Sequence, residues 1–376
     1  MRNCIFCGET VSDKTKEHII PQWLMRLTGD PNRQISVGLK LPQLMDGTLG
    51  DNPFRQFSFK AFQFPACSEC NSAYSDLEVM TKSIVEKILN NEDISVKELD
   101  ILMDWFDKIR TGLWLGFMQL NKNIANIDPK FAIDKRISSK DRMLAIYKFD
   151  HITDGINFIG SDTFVFQHLP SCFGFRINNY YFLNISFEFI FSKNLGFPFI
   201  NKSTQIQDTD NFYLELKDGT NKIKHNVLPK PILDGNLHFV QPLFSNKSII
   251  CDNKNKNAIK EFYSHNEFVN NHSLDIDLGK GAIFIKKSNQ SYEALVQNEK
   301  TINFSSLENL STKFSLDTWS KTFTKMVYEY QNYLIKNYSY LHAYDNETKK
   351  SFKKKINFSV HYNKTMVKMY YRQKIR

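Results

Sequence analysis

The 376-residue chain has no run of about 18 uncharged apolar residues, the length a membrane-crossing helix needs. Its nearest approach, residues 180–200, is interrupted by Asn184, Glu188, Lys193 and Asn194. No apolar leader follows Met1-Arg2-Asn3-Cys4, so a cytoplasmic protein with no membrane partner is expected. Glycine-rich loops of the P-loop or dinucleotide-binding kind are missing too, which argues against nucleotide-driven chemistry. There is no internal repeat and no coiled-coil stretch. Cysteine is scarce, with six in all, and disulfides are not expected in a cytosolic chain. Acidic residues are absent from residues 349–376, where ten Lys/Arg lie; without that segment, 39 basic residues face 40 acidic ones. The net charge of +9 is therefore a C-terminal property. A tail of this kind can follow a phosphate backbone through counterion release, can simply be a solvated segment, or can pack as a strand or helix against the β domain, as the alternation of Ile356-Asn-Phe-Ser-Val360 would allow.

What is present reads as globular: 41% hydrophobic and 24% charged residues exclude global disorder. Aromatics at 14%, with 32 Phe, favour β-rich structure, and the length suggests two or three domains. The pattern along the chain gives an α+β fold in four parts. Residues 1–92 form a small head, with a short β-prone run ending at Pro21, a helical turn or two to Leu27, and a loop or hairpin over 28–60. A helix is expected just after Asn71, with Leu77, Met80, Ile84 and Ile88 on one face. Residues 93–125 read as a helical connector opened by the capping box Ser95-x-x-Glu98, in which Trp105 and Trp114 pack. Residues 126–315 alternate with period two and read as a mostly antiparallel β domain. Its hairpin signals lie at Asn178-Asn179, Asp218-Gly219 and Gly279-Lys280-Gly281. Residues 316–376 read as a helix, with Trp319, Phe323, Met326 or Val327, Tyr330 and Leu334 on one face, followed by the basic tail.

Four of the six cysteines form two pairs, Cys4-x2-Cys7 and Cys67-x2-Cys70. Each pair makes a tight turn that points two thiolates at one centre, and two such turns complete a tetrahedral Zn²⁺ site. Cys172 and Cys251 stand alone and read as inert buried thiols; His168, flanked by Phe166 and Leu169, reads as a core residue.

Between the pairs lies Glu17-His18-Ile19-Ile20-Pro21, and Asn71 follows the second pair directly. With these residues the segment 1–92 resembles the HNH endonucleases, the four-cysteine zinc branch of the ββα-metal nucleases. The resemblance implies a zinc-stabilised nuclease head that hydrolyses phosphodiester bonds of DNA. His18 would be the general base, and Glu17 and Asn71 would be ligands of a catalytic Mg²⁺ or Mn²⁺. Glu78, seven residues on, would add a carboxylate from the same helix face. Imidazole titrates near neutrality and suits the base role, while a hard cation wants oxygen ligands. The zinc would hold Asn71 relative to His18 without touching substrate.

The sequence departs from the family pattern twice. Glu17 replaces the commoner Asp, and Phe62 stands where a middle Asn is expected, which leaves Lys60 or Gln63 to orient the base, or a weakened site. The basic tail, with Lys353, Lys354, Lys355, Lys364, Lys368 and Arg372, offers contacts to nucleic acid. By analogy, such a head on a larger body suits restriction or anti-phage defence. Two alternatives stay open: a non-catalytic zinc-containing nucleic-acid-binding protein, and a nuclease effector switched on by a ligand. A homo-oligomer or a protein partner through the β-rich domain also stays open.

Overall fold

The computed structural model describes residues 3–10, 15–48, 54–123, 140–150, 154–195, 199–205, 212–217, 237–242, 283–286, 292–295, 300–338 and 346–372. Cys251, Asp218-Gly219, residues 274–278 and Gly279-Lys280-Gly281 lie outside them.

The N-terminal part is built of short elements. Strand β1 (Lys16–Glu17) ends before Pro21, which opens helix α1 (Gln22–Leu27). Over residues 28–60, β2 (Gln34–Leu39) pairs antiparallel with β3 (Phe54–Ser58), and α2 (Leu41–Asp46) lies between them. A single 3₁₀ turn (Phe59–Ala61) leads to β4 (Phe64–Pro65), which returns antiparallel to β1 and places Glu17 opposite Phe64. The single helix expected after Asn71 is divided into α3 (Ser68–Ser72) and α4 (Ser75–Leu89). Asn71 and Glu78 therefore stand on different helices. Helix α4 buries Thr81, Ile84, Val85 and Ile88, while Met80, expected on that inner face, is exposed.

After β5 (Asp93–Ser95) comes the 25-residue helix α5 (Val96–Leu120). Its capping box forms as the sequence indicates: Ser95 Oγ accepts from the Glu98 N–H, and the Ser95 N–H donates to Glu98 Oε2 at 2.8 Å. Although α5 carries a polar stripe of Asp100, Asp104, Asp107, Lys108 and Thr111, it is buried from Leu102 to Met118 apart from Asp104. Trp105 stacks near Trp23 of α1 at 5.9 Å, and the Trp114 Nε1–H donates to the Gln167 carbonyl at 2.8 Å. Both tryptophans pack, as expected.

The rest of the described chain supplies β6 (Arg142–Lys148), β7 (Ile156–Ile159), α6 (Phe164–His168), β8 (Cys172–Ile177), β9 (Tyr180–Ser186) and α7 (Ile190–Leu195). Then come β10 (Phe199–Gln205), β11 (Phe212–Lys217), β12 (Leu237–Gln241), β13 (Ile283–Lys286), β14 (Tyr292–Leu295) and β15 (Thr301–Asn303). Helices α8 (Leu316–Lys336) and α9 (Asn346–Arg372) close it. Seven strands make one antiparallel sheet in the order β14-β13-β12-β6-β9-β8-β7. The β8–β9 turn is at Asn178-Asn179, with Asn178 in the left-handed region at φ 49°.

Alternation along each strand feeds two cores. Leu144, Ile146, Phe173, Phe175 and Phe182 face α5 and the N-terminal elements. Met143, Ala145, Tyr147, Tyr181 and Leu183 face Trp319, Phe323, Val327 and Leu334 of α8, with Ile356 and Val360 of α9. The fold is α+β, with a sheet covered on both faces. Strand β15 pairs with β5, which ties the C-terminal part of the chain to the foot of α5.

Of the readings that the sequence leaves open for the basic segment, the described residues take the packed one. Through Arg372 it is helix α9, whose buried stripe of Ile356, Ser359, Val360, Asn363 and Met366 lies against α8 and α6. Of its two polar members, Ser359 donates to the Lys355 carbonyl at 2.9 Å and Asn363 Nδ2–H donates to Gln331 Oε1 at 3.2 Å. Among the described residues no helix is long and apolar enough to cross a membrane.

Candidate active site

The two cysteine turns converge. In the first, the Gly8 N–H donates to the Cys4 carbonyl at 3.0 Å, and Gly8 takes φ 79°, which its missing side chain permits. In the second, Cys67 caps α3 and Cys70 lies one turn inside it. The Ile5 N–H reaches the Pro65 carbonyl at 2.8 Å, so the first turn is laced to β4. All four Sγ atoms lie within 4.8 Å of one another, and Cys7 Sγ is 3.8 Å from Cys67 Sγ. Four sulfurs at about 2.3 Å from a tetrahedral Zn²⁺ are about 3.8 Å apart, so the donor set fits that ion. Burial raises the Cys4 pKa, but backbone hydrogen bonds from Cys7, Cys67 and Phe6 outweigh it and leave that thiol the readier to ionise. The cluster can hold one zinc ion. Among the described residues it is the one group of three or more His, Cys, Asp or Glu with ligand atoms this close.

His18 leaves the end of β1 half-buried, between buried Glu17 and the core residues Ile19 and Ile20. Its ring Nε2 lies 3.3 Å from the Lys60 carbonyl, in the 3₁₀ turn before β4. Lys60 is one of the two residues the sequence offered as support for the base, and it supplies its main chain rather than its side chain. Burial lowers the His18 pKa below its ordinary value, so the ring is neutral at pH 7. Phe62, in the place of the family Asn, is a core residue against Phe57, Phe64, Phe117 and Phe158.

The acidic residues are arranged otherwise than the resemblance implies. Glu17 and Glu78 do meet, but on a third residue. Lys108 Nζ donates to Glu17 Oε1 at 2.7 Å and also to Glu78 Oε1. The Lys108 side chain is 4% exposed, that of Glu17 8% and that of Glu78 25%. Burial works against the ammonium, yet the two carboxylates outweigh it and raise the Lys108 pKa above its ordinary value. With a buried ammonium on both carboxylates, Glu17 and Glu78 do not fit Mg²⁺ or Mn²⁺ as they stand. Asn71 is exposed on α3, its N–H bonded to the Cys67 carbonyl at 2.9 Å.

Lys108 was not singled out from the sequence. Helical spacing puts Lys108 on one stripe with Asp100, Asp104, Asp107 and Thr111, a face that reads as solvated, so its burial and its need of a buried anion show only in the fold. The approach of β1 to α5 has a second cause. Gly112 and Gly116 lie four and eight residues beyond Lys108, on one stripe, and a Cβ on either would stand 2.9 Å from Ile19. The missing side chains let the Glu17–Ile19 segment lie against α5 with Glu17 over Lys108.

Lys353, Lys354, Lys355, Lys364 and Lys368 are exposed on α9, and Arg372 is in its last turn. Lys353, Lys354, Lys364, Lys368 and Arg372 fall on one arc of the helix by its 3.6-residue period, with Lys355 apart. The sheet separates α8 and α9 from α5, so these cations and His18 belong to opposite layers. No protein-family model matches the chain, no curated protein matches it, and no solved structure matches it.

Proposed function

We propose that residues 1–92 form a nuclease head of the HNH type and that the protein hydrolyses phosphodiester bonds, with DNA as substrate. The observation that carries this reading is His18: a neutral imidazole at the end of β1, braced by the Lys60 carbonyl, beside a ladder and helix fastened by four convergent thiols. The order strand, strand, helix in β1, β4 and α3 supports the ββα arrangement. A ring that donates its Nε2–H to the carbonyl keeps Nδ1 as acceptor for a proton from water, which is what a general base must offer. Cys4, Cys7, Cys67 and Cys70 would hold zinc and fix β4 and α3 relative to β1. The exposed lysines of α9 support an anionic polymer as partner. A role in restriction or anti-phage defence rests on the resemblance and is proposed with it.

The Lys108 contact favours a second reading, a zinc-containing protein that binds nucleic acid without cutting it. Supercoiled plasmid separates the two. Under the first reading the purified protein nicks or linearises it, with Mg²⁺ or Mn²⁺ or in a chelator that leaves the thiol-bound zinc in place. His18→Ala should then lower the rate by about 10²–10⁴-fold with the fold intact. Equal cutting by His18→Ala overturns the base assignment, and binding without cutting under every condition favours the second reading.

A further inference from the structure

The two carboxylates that the resemblance gives to a divalent cation already share one. Resting on the nuclease-like reading of residues 1–92, we propose that the Lys108 ammonium is the resident cation of this acidic pocket. It stands where a divalent ion would be held, so the head takes up neither Mg²⁺ nor Mn²⁺ between Glu17 and Glu78.

Three observations converge on this. The first is contact: one Nζ serves Glu17 Oε1 at 2.7 Å and Glu78 Oε1 together, joining β1 to α4 from a residue on α5. The second is confinement. Lys108 is 4% exposed, and its neighbours Asp107 and Ile109 are fully buried. The ammonium therefore cannot swing into water without lifting α5 from β1. That lift is opposed by Ile19, seated on Gly112 and Gly116, and by Phe64, which also closes on Gly116.

The third is charge. Two carboxylates and one ammonium leave the pocket at −1. A divalent ion added beside Lys108 would place two cations on the same pair of acids, where low exposure leaves little water to screen them. A divalent ion also keeps several waters, and a pocket with 8% of Glu17 exposed has little room for them. Lys108 is thus a positioning residue. It holds Glu17 and Glu78 in place, and with them the start of the segment that carries His18.

The test is Mn²⁺ binding to the full-length, zinc-loaded protein, read by water-proton relaxation. Wild type, Glu78→Gln, Lys108→Met and Lys108→Met combined with Glu17→Gln are compared. The expected result is that wild type and Glu78→Gln bind Mn²⁺ alike, through surface acids only. Lys108→Met should gain one Mn²⁺ per chain, and the added Glu17→Gln should weaken that site at least 10-fold. The proposal is overturned if wild type holds one Mn²⁺ that Glu78→Gln weakens at least 10-fold. This comparison needs no Lys108 variant and stands if Lys108→Met fails to fold. Plasmid cleavage is read separately. Failure of wild type to cut under any condition removes the nuclease reading and leaves the Mn²⁺ result to decide the role of Lys108.

Discussion

Gly116→Ala sets two effects of known size against each other. In the interior of a helix, replacing Gly by Ala favours folding by about 1 kcal/mol, because Ala has less backbone freedom to lose. On propensity alone the variant should be more stable. The packing says the reverse. A Cβ at Gly116 would lie 2.8 Å from both Cε2 and Cζ of Phe64, and 2.9 Å from Ile19 Cδ1. Neither neighbour has room to yield: both are buried, and the Phe64 ring stands edge-on to Phe62 at 5.4 Å. Forcing a methyl into such a site costs about 1–3 kcal/mol. The expected net is a loss of up to about 2 kcal/mol once propensity is credited. At Gly112 the close atoms belong to Ile19 alone, at 2.9 and 3.3 Å, so Gly112→Ala should lie nearer neutral. The pair should not be additive, since both press on one residue. Urea unfolding followed by tryptophan fluorescence suits the question, because Trp23 and Trp105 meet at this junction. If Gly116→Ala is the more stable protein, β1 does not approach α5 as described, and the Lys108–Glu17 contact loses its support.

Metal analysis should find one zinc per chain, and Cys67→Ser should lose it and destabilise residues 3–89; purified protein without metal would remove the structural-zinc reading. His168 is pushed down to about 4 by burial, with Lys355 nearby adding to the effect. Between pH 6.5 and 4 the unfolded chain then binds a proton that the folded chain refuses. Stability should fall by up to about 3 kcal/mol as pH drops through that window, and His168→Gln should flatten the fall. Coincident stability curves for the two proteins from pH 7 to 4 would count against this. Replacing Lys353, Lys354 and Lys364 by Gln should weaken duplex binding for all sequences alike. The salt slope should become shallower by up to about 0.9 per lost phosphate contact, with no change in Tm. An unmoved slope would mean that this face of α9 does not meet nucleic acid.

Local signals in the sequence were sufficient where neighbours along the chain decide the outcome. The Ser95–Glu98 capping box, the two cysteine turns and the inner face of α8 are all of this kind, and each appears as its spacing indicates. Legibility failed where the deciding partner is remote. Lys108 meets acids 91 and 30 positions away, and no helical periodicity reports that. The basic segment read as a tail because its inner stripe is thin. Ser359 and Asn363 occupy core positions in α9, and their fitness for burial shows only beside Gln331 and the Lys355 carbonyl. Strand β9 is buried at every position, so its alternation separates two cores rather than core from water.

Helix α5 lies inside the segment that read as a connector, and it is bonded on two sides. Towards the N-terminal elements it presents Lys108, Gly112 and Gly116. Towards the sheet it presents Asp107, fully buried, which accepts from Arg142 of β6 at 3.2 Å, from Asn184 of β9 at 3.3 Å and from its own Arg110 at 3.1 Å. Arg142 also reaches Asp104 and donates through Nε to Gln241 of β12 at 2.8 Å. Burial pushes the Asp107 carboxyl up, and Arg110 and Arg142 pull it back. Stranding one member of a buried pair costs about 3–5 kcal/mol. Parting α5 from the sheet would take Arg142 and Asn184 from Asp107 and leave it Arg110, and parting α5 from β1 would strand Glu17 and leave Lys108 with Glu78. The N-terminal elements are thus bonded to α5, and α5 to the sheet. Two sets of contacts lead from the sheet towards His18: the Asp107–Arg142 pair, through α5 and Lys108, and Phe158 of β7, which stacks on Phe62 two residues from the Lys60 carbonyl that braces the ring.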